Sequence, residues 1–365
     1  MSLTLQEALS RLDGLRHSVL DTQRGLPLLL EPASDAMKSP QAVVRLLEAE
    51  ADAVRALMDH YGALLLRGFA IGSAMDFERV VRSFDPDQAS SYLGTSPRIR
   101  LTDHVFTASE LAWYYPIPQH CEMSFLPSAP ARIYFHCMVA ARQWGETPLV
   151  DFEAVAREMD QGIAQQFREK GIRNIRNYSG PSGGRASVTQ LKPWHEMFGT
   201  TDHAVVEEKC AAEGLTPVWH GRDGLTLLNE QPAFITHPVS GREVWFNHSL
   251  VFHPSTGLQE TQYLAQYVKH PLFQGLQYVA SALTWRDRHN SRPEDRGTDC
   301  TFGDGSPIPD AVMRHVRGVV WRNMVAQPWK KYDVVMLDNR RVSHGRRPYR
   351  GDRMVTVCWS QETVG

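Results

Sequence analysis

Gln119-His120-Cys121-Glu122-Met123-Ser124-Phe125 is the stretch of this sequence on which the fold and the chemistry depend. It is followed by an apolar strand pattern over 133–139. In an extended strand residues i and i+2 project to the same face, so His120 and Glu122 are predicted to point together while Cys121 faces away. Such a pair can hold a metal ion, but with 15 His and 41 Asp and Glu residues in the chain it is a weak signal without partners.

The end of the chain offers a third ligand. Residues 333–339 and 353–359 have the composition of two buried strands, and the segment between them carries His344. We expect the two strands to form a hairpin that brings His344 close to His120 and Glu122. Two histidines and one carboxylate on one face leave coordination positions open for a chelating cosubstrate and dioxygen, which is the arrangement of non-haem iron(II) sites.

The periodicity of the chain predicts a mainly β protein with flanking helices, an α+β arrangement in a single domain over 1–365. The apolar spacing over about 1–60 is helical and predicts an N-terminal helical region. Short apolar runs separated by Gly, Pro and Ser over 91–150 indicate β structure with functional loops. The β core is expected over about 62–360, with insertions at about 151–224 and 256–325.

Several elements can be predicted more closely. The spacing of leucines indicates a helix over 3–15, and a Ser-Pro start indicates a longer helix over 40–60. A further helix is predicted over 74–84. The glycine-rich stretch 180–184 predicts a flexible loop that would act as a lid.

Composition excludes several functional classes. A formal net charge of -2, with basic and acidic residues interspersed, disfavours nucleic-acid binding, and the arginine-rich run 340–350 is typical of a solvated loop. Five cysteines without a Cys-x-x-Cys spacing disfavour a disulfide framework and a structural zinc site. The first residues lack a basic, then apolar, leader pattern, and no apolar run reaches 18 residues, so no membrane association and a cytoplasmic location are expected.

Several stretches, in order over residues 62–360, resemble one known family. They are Gly94-Thr95-Ser96-Pro97-Arg98, His120-Cys121-Glu122-Met123-Ser124, Gly145-Glu146-Thr147-Pro148-Leu149, Val244-Trp245-Phe246-Asn247, Gly303-Asp304-Gly305-Ser306-Pro307-Ile308, and Asp338-Asn339 through His344-Gly345-Arg346-Arg347-Pro348-Tyr349. Together they resemble the taurine dioxygenase (TauD/TfdA) superfamily, and within it the SyrP-like branch of peptide natural-product pathways.

The resemblance implies a double-stranded β-helix (jelly roll, clavaminate synthase-like or TauD-like) core that uses Fe(II), the cosubstrate 2-oxoglutarate and O2. It implies His120, Glu122 and His344 as metal ligands. It also implies that Thr147 and an arginine after the distal histidine contact the far carboxylate of the cosubstrate. Because a dianion needs a permanently charged, bidentate partner, we assign that arginine as Arg353, which lies on the closing strand.

Other residues are weaker candidates. Arg98 and Thr107 precede the metal stretch and are candidates for the substrate pocket, although loop residues of these types are more often solvated or capping. Asn247 is a third candidate, next to aromatic residues that are more often core. His136 and His248 are expected to be structural.

The chain also departs from the implied pattern. Position 121 is Cys where the branch leads one to expect Asn, and the segment 257–299 is longer than expected, so it is a candidate for substrate selection or an oligomer contact. Glu122 itself disfavours halogenation, because related halogenases lack the carboxylate.

The sequence therefore predicts an oxidoreductase, a dioxygenase that hydroxylates an unactivated C–H bond of an amino acid or peptide-like substrate in natural-product biosynthesis. Desaturation or cyclisation would use the same residues. The substrate is a small molecule, free or tethered to a carrier protein, and homo-oligomerisation stays open. The alternatives from other classes are a non-catalytic β-barrel binding module and a zinc hydrolase.

Overall fold

The computed structural model describes residues 3–90, 98–181, 191–221, 223–290 and 296–363, with backbone alone for 287–290. The helices are α1 Leu5–Arg11, α2 Pro40–Ala49, α3 Ala51–Tyr61, α4 Ala74–Phe84, α5 Phe152–Glu158, α6 Gln161–Lys170, α7 Trp194–Phe198, α8 His203–Ala212, α9 Ser249–Phe252, α10 Thr256–Val268, α11 Pro271–Asn290 and α12 Asp310–Arg322. A 3-10 turn lies at Asp35–Met37.

The strands are β1 Leu15–Asp21, β2 Leu26–Pro32, β3 Ala63–Leu66, β4 Phe106–Thr107, β5 Ile117–His120, β6 Arg132–Val139, β7 Gln143–Trp144, β8 Leu149–Asp151, β9 Ile172–Tyr178, β10 Thr216–His220, β11 Gly224–Gln231, β12 Phe234–Thr236, β13 Glu243–Trp245, β14 Thr298–Phe302, β15 Val334–Asp338, β16 Val342–Arg346, β17 Tyr349–Arg350 and β18 Met354–Trp359. They form a seven-stranded sheet, smaller sheets opposite it, and two short ribbons.

The large sheet has the order β1-β2-β3-β15-β6-β18-β4 and is covered on both faces. Successive residues of β15 show this: Val334 and Met336 pack with the helices α1 to α4, whereas Val335 and Leu337 pack into the core between the sheets. Side chains of a strand alternate between faces, so a strand covered on both sides reads as a continuous apolar run. This is why the sequence predicts β15 well.

The opposite layer consists of the sheet β5-β16-β8 and the sheet β10-β11-β9-β14. The ring of His344 on β16 lies 4.8 Å from the ring of Phe135 on β6, so the inner faces of the two layers are in contact at this point. Two facing, mainly antiparallel sheets with helices outside confirm the predicted jelly-roll core with flanking helices.

The N-terminal prediction needs correction. The predicted helix over 3–15 ends at Arg11, and residues 15–32 form the β1–β2 hairpin in place of helix. Gly14, at φ 83°, makes the turn between helix and strand. β2 then pairs in parallel with β3, so this segment extends the large sheet. The predicted helix over 40–60 is two helices, separated at Glu50, whereas α4 has the predicted bounds.

The predicted hairpin at the end of the chain is wrong. β15 and β18 pair with β6 from opposite sides and not with each other. The chain between them crosses to the other layer as β16, which pairs with β5 and β8. The segments at about 151–224 and 256–325, interpreted as insertions, supply β9, β10 and β14 of the four-stranded sheet.

Two further features bear on the sequence-based expectations. Part of the predicted lid, residues 182–184, and the motif residues 94–97 lie outside the described residues. Within the described part of the chain, no helix combines the length and apolarity needed to cross a membrane.

Asp338, the last residue of β15, is a buried carboxylate. Its contribution to the stability of the fold can be tested by substitution. It accepts hydrogen bonds from His237 Nε2 at 2.8 Å and from Arg340 Nε at 3.0 Å. Burial favours the protonated form, but the bonds from His237 and Arg340 outweigh it and lower the pKa of Asp338. We expect Asp338→Asn to reduce the free energy of unfolding by about 3 kcal/mol at pH 7, because it leaves buried donors without their charge partner.

The sign of the pH dependence follows from the lowered pKa. The contribution of Asp338 is complete above the unfolded-state pKa of about 4 and is lost as the pH falls through the lower folded-state value. Urea unfolding of wild type and variant should therefore differ at pH 7 and converge in acid. Exposed Asp352→Asn is the control and should show no such difference. Equal stability of wild type and Asp338→Asn at pH 7 would contradict the prediction.

Candidate active site

Two strand pairings bring His120 and His344 together. His120 is the last residue of β5 and faces His344 of β16 in the antiparallel register, with ring centroids 4.4 Å apart. Glu122 lies beyond the strand, so strand alternation is not what brings it to His120. Its backbone is held by Asn339, which accepts from Glu122 N at 2.6 Å and donates to Glu122 O at 3.1 Å. The next residue, Met123, has φ 53° and turns the chain.

The three side chains form a compact set of ligand atoms. One ligand atom from each of His120, Glu122 and His344 lies within 4.8 Å of the others, and His344 Nε2 is 3.5 Å from Glu122 Oε2. His120 Nδ1 lies 2.9 Å from the carbonyl oxygen of Pro118. Since a carbonyl can only accept, Nδ1 carries the proton and Nε2 keeps a free lone pair. Two imidazoles and one carboxylate could hold a divalent first-row metal ion.

The electrostatics keep these groups in the ligating state. Burial, with the neighbouring His344, lowers the pKa of His120 to about 4, so its imidazole is neutral at pH 7. Burial would raise the pKa of Glu122, but Arg98, at 2.8 Å, and the hydrogen bond with His344 hold that pKa well below its usual range. Glu122 is therefore an ionised carboxylate. The donor set fits a dication in charge and in protonation.

Thr147 and Arg353 meet on another wall of the same cavity. Arg353 Nε donates to Gly145 O at 2.9 Å, and its Nη2 lies 3.4 Å from Thr147 Oγ1. Burial and the like charge of Arg346 lower the pKa of Arg353 to about 10, which still leaves it cationic at pH 7. A buried cation beside a hydroxyl is suited to a carboxylate.

The candidate substrate residues have different surroundings. Arg98 lines the cavity and contacts Glu122, so it acts on the ligand carboxylate. Thr107 lies on β4, outside the cavity lining, and its hydroxyl accepts from Ile99 N. Asn247 is buried, donates to Ala233 O and accepts from Ser249 N, which fixes the start of α9. Thr107 and Asn247 thus both bond to the backbone, and their assignment to the substrate pocket stays a prediction.

Two cavity residues were not predicted from the sequence. His248 was expected to be structural, but it lines the cavity, with its ring 5.2 Å from that of His120 and its Nδ1 3.0 Å from Ser124 Oγ. The run 340–350, which includes Arg346, was expected to be a solvated loop, but its residues 342–346 form the buried strand β16. Arg346 is buried and donates to the carbonyls of Leu111, Ala112 and Tyr115, which ties the loop before β5 to β16. The available signal for His248 was its position two residues after the aromatic pair Trp245-Phe246.

The cavity that joins these groups has a volume of about 420 Å³. Its walls carry the three ligand residues, Arg353 and aromatic side chains including Phe125 and Phe252. This size is within the range of cofactor and small-molecule sites. A jelly roll with a His-x-Glu and distal His set in such a cavity is the arrangement of the mononuclear non-haem iron oxygenases.

Comparison with known proteins agrees with that class. Residues 31–359 match the family model described as "Taurine catabolism dioxygenase TauD, TfdA family". The chain belongs to this family. It is a 2-oxoglutarate-dependent dioxygenase, with Fe(II), 2-oxoglutarate and O2 as its cofactor and cosubstrates.

Individual relatives span most of the chain. The dapdiamide synthesis protein DdaC of Enterobacter agglomerans is 30% identical over 302 residues, which cover 83% of each chain. A clavaminate synthase-like protein of Arabidopsis thaliana is 27% identical over 337 residues, 90% of this chain and 92% of the relative. The crystal structure of PvcB from Pseudomonas aeruginosa superposes with a TM-score of 0.51 at 15% identity, covering 95% of this chain and 91% of PvcB, and supports the fold.

Proposed function

We propose that this dioxygenase hydroxylates an unactivated C–H bond of an amino acid or peptide-like substrate in natural-product biosynthesis. The proposed iron ligands are His120, Glu122 and His344. The observation that carries the proposal is the convergence of these three ligand atoms within 4.8 Å in a cavity that also contains Thr147 and Arg353. The relative named as a dapdiamide synthesis protein supports a biosynthetic role, and the resemblance to the SyrP-like branch supports the substrate class.

Each proposed residue has a defined task. His120 and His344 offer nitrogen donors, His120 as a neutral imidazole, and Arg98 keeps Glu122 ionised. Arg353, with Thr147, fixes the far carboxylate of 2-oxoglutarate and so orients its keto acid end towards the ligands. When bound, iron and 2-oxoglutarate supply the oxidation, in which O2 gives one oxygen atom to succinate, formed with carbon dioxide, and the other to the substrate carbon.

The same residues would serve desaturation or cyclisation, so the outcome depends on the substrate. Glu122 occupies the ligand position that halogenases leave to a halide, which argues against halogenation. Both a free substrate and one tethered to a carrier protein are compatible with these residues. Presenting the same amino acid as the free acid and as a carrier-bound thioester, and comparing succinate formation, would separate the two.

The function is tested by anaerobic addition of Fe(II) and 2-oxoglutarate to the full-length protein. We expect a visible charge-transfer band when both are present, no band with Fe(II) alone, and succinate once air is admitted. Zn(II) in place of Fe(II) is the control and should give neither. Absence of the band would favour a non-catalytic binding module, and hydrolysis with Zn(II) would favour a zinc hydrolase.

A further inference from the structure

Arg176 on β9 is a fully buried cation without an acidic partner among the described residues. Its side chain is 0% exposed and its guanidinium carbon lies 4.6 Å from the centroid of the Phe125 ring. Its Nη1 contacts Tyr178 Oη at 3.4 Å, whereas Nε and Nη2 have no hydrogen-bond partner in the part of the chain that the structure describes. An isolated buried charge is strongly unfavourable, so its retention requires a reason.

The fully buried Arg317 shows how this protein satisfies an arginine that serves structure. Arg317 is also 0% exposed, but it forms an ion pair with Glu260 at 2.9 Å. It also donates to Gln259 Oε1, Leu250 O and Thr256 Oγ1. Every nitrogen of its guanidinium has a partner. The two arginines have the same burial and differ in their partners, which makes Arg317 a matched comparison for Arg176.

The two unsatisfied nitrogens of Arg176 lie on one edge of the guanidinium. Nε and Nη2 point their N–H bonds in parallel, and this fork matches the two oxygens of a carboxylate. The contact with Phe125 covers the face of the group and leaves that edge unused. The two N–H donors of Arg176 on this edge can therefore bind the two oxygens of one carboxylate.

The position of Arg176 connects it to the active-site cavity. In the antiparallel pair of β9 and β14 its partner is Thr298, and directly paired residues project to the same face of a sheet. Thr298 lines the cavity, and so does Phe125. The Phe125 ring lies 4.9 Å from the ring of His248, which in turn lies 5.2 Å from His120. Arg176 thus lies behind the cavity wall and is connected to the proposed iron ligand His120 through Phe125 and His248.

Two amide oxygens on the same sheet face complement the arginine. Asn174 and its cross-strand partner Asn229 are buried, and Oδ1 of each has no hydrogen-bond partner among the described residues. Their orientation is fixed by a chain of bonds: Gln231 Nε2 donates to Ser124 O, so Gln231 Oε1 accepts from both asparagines, and Asn229 Nδ2 also donates to Phe125 O. These oxygens would accept from an N–H or O–H group next to a carboxylate.

We propose that Arg176 binds a carboxylate of the substrate, with Asn174 and Asn229 accepting from a neighbouring donor group. This inference rests on the function proposed above and narrows its substrate class to molecules that carry a carboxylate. The bound carboxylate meets the Nε and Nη2 edge, which the Phe125 ring leaves uncovered. A thioester at that position would leave the cation unpaired, so the substrate keeps the carboxylate free.

The first test compares the stability of ligand-free variants. Arg176→Met removes an uncompensated buried charge and should leave the unfolding temperature unchanged or raise it. The matched variant Arg317→Met breaks a satisfied ion pair and should lower it by several degrees. A comparable loss in both variants would show that Arg176 serves the fold and would overturn the proposal.

The second test measures the carboxylate directly. Acetate, acetamide and methanesulfonate are titrated into the anaerobic protein loaded with Fe(II) and 2-oxoglutarate, with the unfolding temperature as readout. Acetate should raise the unfolding temperature of wild type in a saturable manner. Arg176→Lys should bind acetate roughly tenfold more weakly, because lysine lacks the two parallel N–H donors. Acetate should stabilise Arg176→Met no more than acetamide does. Equal effects of acetate on wild type and Arg176→Met, or an effect of methanesulfonate in place of acetate, would overturn the carboxylate assignment.

The two proposals fail in distinguishable ways. The charge-transfer band with Fe(II) and 2-oxoglutarate should persist in Arg176→Met, since Arg176 contacts none of the proposed ligands of iron or of 2-oxoglutarate. Absence of the band in wild type removes the proposed function, whatever acetate does. A normal band with no acetate effect that depends on Arg176 removes the carboxylate site and leaves the dioxygenase assignment intact.

Discussion

His344→Ala should abolish the charge-transfer band with Fe(II) and 2-oxoglutarate and lower succinate formation by more than about 100-fold. Loss of a residue that only orients a metal ligand commonly costs 10- to 100-fold, and loss of a ligand costs more. His344 is the member of the set that comes from the far end of the chain, and it lies 3.5 Å from Glu122 and against the ring of His120. Without it, two ligands remain on one edge of the site.

The variant should keep its fold, because the loss of one ring at the cavity wall leaves the strand pairing of β16 in place. Far-UV circular dichroism and the unfolding temperature check this. His220→Ala is the control, since His220 is exposed on β10 and lies outside the cavity lining. It should retain the band and the activity. An unchanged band in His344→Ala, with a normal band in the control, would show that His344 is not a ligand.

The parts of the site that could be predicted are those whose chemistry is local in sequence. His120 and Glu122 are two residues apart, and Thr147 follows a Gly-acid pair, so short motifs identify them. The strand β15 could be predicted because both of its faces are covered and its run of apolar residues is uninterrupted. These features depend on a few neighbouring residues and on general rules of strand geometry.

The remaining parts depend on pairing across the chain. The end of the molecule was predicted as a hairpin because adjacent strands often pair, but β6 inserts between β15 and β18. The contact of Arg98 with Glu122 and the position of His248 beside His120 both arise from segments brought together by that topology. No local pattern around Arg98 or His248 encodes the partner, so the sequence alone left Arg98 as a weak candidate and His248 as a residue expected to be structural.

Strand β9 is another element that could not be identified from the sequence. Its alternating buried residues include Asn174 and Arg176, polar types that are usually exposed, and this disguises the strand in the sequence. Interpreted as part of an insertion, β9 in fact carries the inner face of the four-stranded sheet. Ile172 and Tyr178 on the buried face of β9 belong to the hydrophobic core, whereas core packing does not explain Asn174 and Arg176 between them, which is consistent with the proposed ligand.

Arg353→Gln is expected to raise the KM for 2-oxoglutarate by roughly 100-fold while leaving kcat at saturating cosubstrate within a few fold. Truncating one partner of a buried charge pair commonly costs about 2–5 kcal/mol, and this contact is made equally before and during the reaction. Thr147→Val removes a neutral hydrogen bond to the cosubstrate, and with it the acceptor of Trp329 Nε1 and of Arg353 Nη2, and should raise the same KM by only about tenfold or less. Initial rates of succinate formation against 2-oxoglutarate concentration measure both.

Arg346→Gln is the decisive comparison, because Arg346 lines the same cavity and lies close enough to Arg353 to lower its pKa. Nη1 and Nη2 of Arg346 donate to three backbone carbonyls between residues 111 and 115, and its Nε has no hydrogen-bond partner among the described residues. The hydrogen-bond partners of Arg353 in the same part of the chain are Gly145 O and Thr147 Oγ1. Arg346→Gln should therefore loosen that loop and lower stability, with a much smaller change in the KM for 2-oxoglutarate. If Arg346→Gln raises this KM and Arg353→Gln does not, the cosubstrate carboxylate belongs to Arg346.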